Sequence, residues 1–134
     1  MTRLVTFVEI DERHTDDRQV SVSARHEAVL ADERRVLLLD DRGWAESGPS
    51  DIWAYITVDG VASTARTVVG PDEPVRGQTH DDAARAHWAS LADVLRREGV
   101  VADGDALARL PHDVVLGERL RARLRSARSG GPTP

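Results

Sequence analysis

The residues that could do chemistry are concentrated around two tryptophans in the middle of the chain. Trp44 and Trp53 flank the turn-forming residues Gly48 and Pro49, in a sequence of which only 4% is aromatic. Aromatic rings beside such a connection can line a ligand pocket or form a protein-binding hot spot, and they can also simply pack beneath a loop. We predict a ligand-binding site here, with nearby polar residues as its rim. The predicted rim residues are Asp40, Asp41, Arg42 and Asp51.

The arginine-rich C-terminal segment is a second candidate surface. Between Glu118 and Arg128 five arginines stand against one glutamate. Such a helix could contact phosphates or an acidic surface of another protein, and the same arginines would equally suit a solvated helix C-terminus. The predicted interaction residues are Arg119, Arg121, Arg123 and Arg125.

Metal and nucleophile chemistry find little support in the residue spacing. His80 and His87 are seven residues apart, so on a helix they would be roughly 10.5 Å apart along the axis, too far to ligate one metal ion. Neighbouring Asp40 and Asp41 would point to opposite faces of a strand. No serine lies in a Gly-x-Ser-x-Gly motif. We therefore predict no metal site and no cofactor, and we assign no catalytic residue.

The absence of two residue types excludes whole classes of enzyme. The chain has no cysteine, and all 18 of its basic residues are arginine. Without lysine there can be no P-loop, Schiff-base or pyridoxal-phosphate chemistry, and without cysteine no thiolate chemistry or sulfur-ligated zinc. The preference for arginine is typical of a GC-rich bacterial genome. These exclusions favour a non-catalytic protein and leave catalysis without lysine or cysteine open.

The elements that must position these residues begin with strands. Alternating or continuous apolar residues predict strands at 4–10, 19–24 and 35–40, and Gly43 and Gly48 indicate that the sheet ends after residue 40. Residues 52–56 fit either a fourth strand or the start of a helix.

Helical spacing dominates the second half of the chain. It predicts a helix from Thr57 to Gly70, with Val58, Val61, Ala65 and Val68 on one stripe. A second helix follows the capping box at Thr79 and carries Ala84, Trp88, Leu91 and Leu95. A short helix covers 106–110, and a last one runs from near Asp113 through Leu116, Leu120 and Leu124.

These elements predict an α+β fold: an antiparallel meander of three or four strands, followed by three to four helices packed on one face. We expect a single domain over residues 1–128, strand-rich over 1–48 and mainly helical over 49–128. Residues 129–134 have the composition of a disordered tail.

The net charge of −5 is unevenly distributed along this domain. Residues 1–82 carry a net charge of −8 and residues 83–134 a net charge of +3. This polarity favours a small acidic, non-catalytic protein-binding or regulatory module that binds a protein partner or itself, as a homodimer. The alternatives are a lysine-independent enzyme or ligand-binding protein with a pocket near Trp44 and Trp53, and a nucleic-acid-associated regulator that uses the C-terminal arginines. Nucleic acid is the less favoured partner; we expect a cytoplasmic location and no membrane association.

Overall fold

A four-stranded mixed sheet forms one layer of the molecule. The structure is a computed structural model that describes residues 1–48 and 50–129. The spatial order of the strands is β3-β2-β1-β4, with β1 antiparallel to β2, β2 antiparallel to β3 and β4 parallel to β1. The strands are β1 (Arg3–Ile10), β2 (Gln19–Val29), β3 (Arg35–Ser47) and β4 (His112–Leu116).

Helices form the second layer, so the predicted α+β class is confirmed. They are α1 (Val58–Val68), α2 (His80–Arg97), α3 (Gly104–Ala108) and α4 (Glu118–Ser129), with 3₁₀ turns at Glu12–His14 and Ile52–Tyr55. Their buried residues pack against the β1 face that carries Leu4, Val8 and Ile10. Among the described residues, no helix has the length and apolarity needed to cross a membrane.

The sheet differs from the predicted meander in its fourth strand. The prediction of a helix from Asp113 was wrong, because His112–Leu116 is β4 and the helix begins only at Glu118. Leu116, Leu120 and Leu124 are all buried in one cluster, so their spacing of four resembled a single helical stripe. Ser129, the first residue of the predicted tail, belongs to α4. Residues 130–134 of that tail lie outside the described residues, as does Pro49.

The third strand is longer than its sequence indicated. It continues through Gly43 to Ser47 because Ala24 and Val22 of β2 pair with Arg42 and Trp44. A Cβ atom on Gly43 would meet the Val22 carbonyl oxygen, so glycine here permits a close strand approach rather than ending the sheet. Of the uncertain residues 52–56, Ile52–Tyr55 form the second 3₁₀ turn and Ile56 is extended, so the segment is neither a strand nor the start of an α-helix.

The second helix has the predicted caps but a shifted buried face. The Thr79 hydroxyl accepts a hydrogen bond from the Asp82 amide, the Thr79 amide donates to the Asp82 carboxylate, and Gly99 takes a left-handed φ of 80° after the helix. Ala83 and His87 are buried, whereas Ala84 and Trp88 are only partly so. The helix is therefore rotated about its axis relative to the prediction, so that Ala83 and His87 face the protein interior.

The last helix is anchored by a carboxylate from the first strand. Glu9 accepts hydrogen bonds from the amides of Arg119 at 3.1 Å and Leu120 at 2.8 Å, two of the amides that have no partner within the helix. A Cβ atom on Gly117 would collide with this carboxylate. The Glu9 side chain therefore caps the N-terminus of α4, a role that Gly117 at the N-cap position has no side chain to fill, although Glu9 is far from α4 in sequence.

Replacing Glu9 by alanine should lower the free energy of unfolding by about 1–2 kcal/mol, because the α4 amides lose their acceptor. Urea unfolding measures the change, and Glu12→Ala, at an exposed carboxylate three residues away, is the matched control. Equal stability of the two variants would contradict the capping role.

Candidate functional site

A layer of polar side chains crosses the apolar core between two hydrophobic clusters. Thr6 lies between Leu4 and Val8 on the core face of β1, and His26 pairs with it on β2. The Thr6 hydroxyl is 2.8 Å from Nδ1 of His26 and 2.6 Å from Nε2 of His112 at the start of β4. Since the hydroxyl has one proton, at least one of the two rings must donate its N–H to Thr6.

Burial keeps these histidines neutral. Desolvation, together with the nearby His112 and His87, lowers the pKa of His26 from 6.5 to about 3. Desolvation also lowers the pKa of His112, with Arg66 acting in the same direction. The neutral form of each ring is therefore the one that the folded core accommodates.

As the pH is lowered, the protein should begin to lose stability near pH 6.5, before its carboxylates titrate. A histidine with a lowered folded-state pKa contributes stability that is complete above the unfolded value of 6.5 and is lost as the pH falls toward the folded value of about 3. We expect the free energy of unfolding to fall by about 1.4 kcal/mol per pH unit for each histidine kept neutral.

The variant His26→Leu removes one such group while Thr6 keeps His112 as a partner. Denaturant unfolding between about pH 6.5 and 5 should show a shallower loss of stability in this variant than in the wild type. His80→Gln, at an exposed histidine, is the mutational control. Equal pH slopes for His26→Leu and the wild type would contradict the proposed cause.

The second helix presents two different surfaces from consecutive residues. His87 and Trp88 contact each other edge to face, with ring centroids 4.9 Å apart. His87 lines a cleft between α2, β3 and the loop before α2, whereas Trp88 lines a groove between α2 and α3. These two surfaces are here called the histidine cleft and the tryptophan groove.

The histidine cleft has a volume of about 260 Å³ and combines charged and apolar walls. Arg42 of β3 donates a hydrogen bond to Asp72 at 2.8 Å and another to the Val68 carbonyl oxygen at 3.4 Å. Burial and Arg42 lower the pKa of His87, whose Nε2 is buried and has no hydrogen-bond partner among the described residues. The remaining lining residues are Leu39, Glu73, Val75, Gln78, Ala83, Ala86 and Ser90.

The tryptophan groove has a volume of about 560 Å³ and is acidic. Asp103 caps α3, and Gly104 lets α3 approach the α2 backbone closely, since a Cβ atom there would lie 3.2 Å from the Trp88 carbonyl carbon. The floor includes Trp88, Ala84, Ala89 and Ala108, and the charged lining residues are Asp81, Asp103, Asp105 and Arg85. Arg85 is itself paired with Asp82 at 3.0 Å.

The residues predicted from sequence as one ligand site are divided between the histidine cleft, the surface of β3 and the 3₁₀ turn at Ile52–Tyr55, although Trp44 packs against the apolar cluster that includes Trp53. Trp44 is partly buried and packs against the first apolar cluster, while Asp40 and Asp41 are exposed on β3. Only Arg42 reaches the histidine cleft.

The other two predicted ligand residues adjoin a member of the predicted arginine set. Trp53 is buried, and its indole N–H donates to the Asp16 carbonyl oxygen at 3.2 Å. Asp51, Trp53 and Arg123 line a shallow hollow of about 240 Å³, and the Arg123 guanidinium lies 5.5 Å from the centre of the Trp53 ring.

The other three predicted interaction arginines make contacts within the chain. Arg119 lies 3.9 Å from Glu9, and Arg125 lies 3.2 Å from Glu118. Arg121 donates to the Leu116 carbonyl oxygen at 2.9 Å. The four arginines flank both sides of the buried Leu120 and Leu124, so they do not form one continuous basic face.

Sequence reasoning missed Thr6, His26, His112 and Asp72. Thr6 stands in an apolar, β-branched segment, whereas His26 lies between Arg25 and Glu27. Their parity with Leu4 and Val8 on β1 and with Ala24 and Ala28 on β2 places both on the core face. That alternation was a usable signal for buried polar groups. The sequence contains no such signal for Asp72, because a position in the loop before α2 does not indicate a contact with Arg42.

Comparison of the chain with protein-family models, curated proteins and solved structures gave no match. Within residues 1–48 and 50–129, no group of three or more histidine, aspartate or glutamate side chains is arranged to hold a metal ion. The geometry of the two surfaces on α2 is therefore the basis for any functional inference.

Proposed function

We propose that the protein is a non-catalytic protein-binding module, and that the tryptophan groove binds a basic segment of a protein partner. The proposal rests on the composition of this groove: three aspartates and one arginine that is already paired surround a floor of tryptophan and alanines. Small side chains in the floor leave room for a helix or extended segment, and Trp88 offers its ring to an apolar or cationic side chain.

The burial of the contact between Thr6 and His26 supports a binding role. His26 is only 1% exposed and Thr6 is fully buried, so a substrate has no approach to their contact. Neutral, hydrogen-bonded histidines of this kind order a core rather than transfer protons to a bound molecule.

Charge complementarity explains the choice of partner. A segment with arginine or lysine on one face would meet the carboxylates of Asp81 and Asp105, and its approach would be accelerated by their field. A second copy of the chain is the alternative protein partner, with Arg121 and Arg125 as its basic side chains. Nucleic acid is less favoured, because the four predicted arginines of α4 lie on both sides of the buried Leu120 and Leu124 and form no continuous basic face.

A synthetic amphipathic peptide with arginines at i, i+4 spacing is a suitable probe for the groove. We expect the double variant Asp81→Asn/Asp105→Asn to bind it about tenfold more weakly at low salt and with a smaller salt dependence, measured by fluorescence anisotropy. The control Glu12→Gln/Glu46→Gln removes the same charge elsewhere on the exposed surface. Equal affinity of the two double variants would contradict the assignment of the groove.

Sedimentation of the full chain tests the second copy as partner. A dimer that dissociates in Asp81→Asn/Asp105→Asn and in Arg121→Gln/Arg125→Gln would identify α4 of another copy as the occupant. A monomer that still binds the peptide identifies a different protein as the partner, and a monomer that binds neither contradicts the proposed function.

A further inference from the structure

The histidine cleft is separate from the tryptophan groove and has a different chemistry. Its charged side chains have both signs, Arg42 on β3 and Asp72 and Glu73 on the loop before α2. The Arg42 side chain is 26% exposed and that of Asp72 is 75% exposed, so their hydrogen bond lies at the mouth of the cleft. Exposed ion pairs of this kind contribute little to stability.

We propose that the histidine cleft binds a small zwitterion with an apolar side chain, that is, a free α-amino acid. Its carboxylate would bind the Arg42 guanidinium, which has five N–H donors in a planar fork. Asp72 and the Val68 carbonyl oxygen both contact Nη1, and Asp41 lies 3.8 Å from Nε, so the other guanidinium nitrogen, Nη2, is the one that serves the ligand. Its ammonium group would lie between the carboxylates of Asp72 and Glu73. A ligand of one charge only would meet like charge in the same cleft, whereas a zwitterion complements both.

The apolar wall of the cleft accounts for the side chain of this ligand. Leu39 and Ala83 line the inner part of the cleft and the exposed Ala86 its edge, while Val75, which also lines the cleft, is 70% exposed. A branched aliphatic side chain would cover Val75 and remove apolar surface from water. The volume of about 260 Å³ suits a ligand of this size rather than a nucleotide or a cofactor.

The His87 ring forms part of the buried wall of the cleft. His87 is 9% exposed and lines the cleft, while its Nε2 is buried and has no partner in the described part of the chain, as is also true of Nε2 of His26. The polar contacts to the ligand therefore come from the charged side chains at the mouth, and His87 contributes the shape of the wall.

Titration with L-leucine, followed by two-dimensional NMR of the full-length protein, tests this proposal. We expect shifts in the amides of residues 83–90 and in the indole N–H of Trp88, which touches His87; the chain has only three tryptophans, so this signal can be assigned. The analogues 4-methylpentanoate, which lacks the ammonium group, and 3-methylbutylamine, which lacks the carboxylate, should each bind about tenfold more weakly than leucine.

Two cleft variants separate the roles of the two charges. Arg42→Gln should weaken leucine about tenfold, with Arg97→Gln, at an exposed arginine of α2, as the control. Asp72→Asn should weaken 3-methylbutylamine and tighten 4-methylpentanoate, because it removes a carboxylate that attracts one and repels the other. Circular dichroism establishes that each variant is folded.

Three results would overturn the proposal. They are no shifts with leucine at about 10 mM, equal leucine affinity in Arg42→Gln and Arg97→Gln, and equal affinity of leucine and 4-methylpentanoate for the wild type. None of these results bears on the peptide-binding experiment at the tryptophan groove, so the two proposals fail independently.

Discussion

The contact of Thr6 with two histidines is the constraint on which the sheet depends. A buried hydroxyl or imidazole without a partner costs about 1–3 kcal/mol, whereas a fully apolar core has no such requirement. Shifting β1 by one residue against β2 would move Thr6 to the opposite face from His26 and leave both without their contact. The polar layer therefore selects one register for β1 and β2, and its third member, His112, ties β4 to the same register.

The two candidate surfaces share one turn of one helix. His87 and Trp88 are consecutive residues that line different surfaces, and their rings are in contact. The capping box at Thr79 and the left-handed Gly99 fix both ends of this helix. The rotation of the helix about its axis decides which surface each ring lines, and the contact between the two rings connects the two surfaces.

Local signals in the sequence were sufficient for most elements but not for their long-range partners. The existence of strands β1 to β3 and the caps of α2 follow from alternation, turn residues and the pattern at Thr79. The continuation of β2 to Val29 and of β3 to Ser47 was not predicted, because it depends on pairing between the two strands. β4 was missed because five residues carry too little periodicity, and because Leu116 continues the spacing of the leucines in α4. The site was harder still: of the predicted ligand residues, Arg42 alone lines the histidine cleft, since its partner Asp72 comes from a loop that no pattern connects to β3.

The position of β4 has a consequence for the order in which the molecule forms. Leu4 pairs with His112, so one edge of β1 stays unpaired until the segment that contains His112 is available. Strands β1 to β3 need only hairpin connections, which close quickly, whereas this parallel pairing must close a very long loop before any contact compensates for the lost entropy. During synthesis, the nascent meander exposes that edge to other chains, and the arrival of the last strand and its helix is the step that covers it.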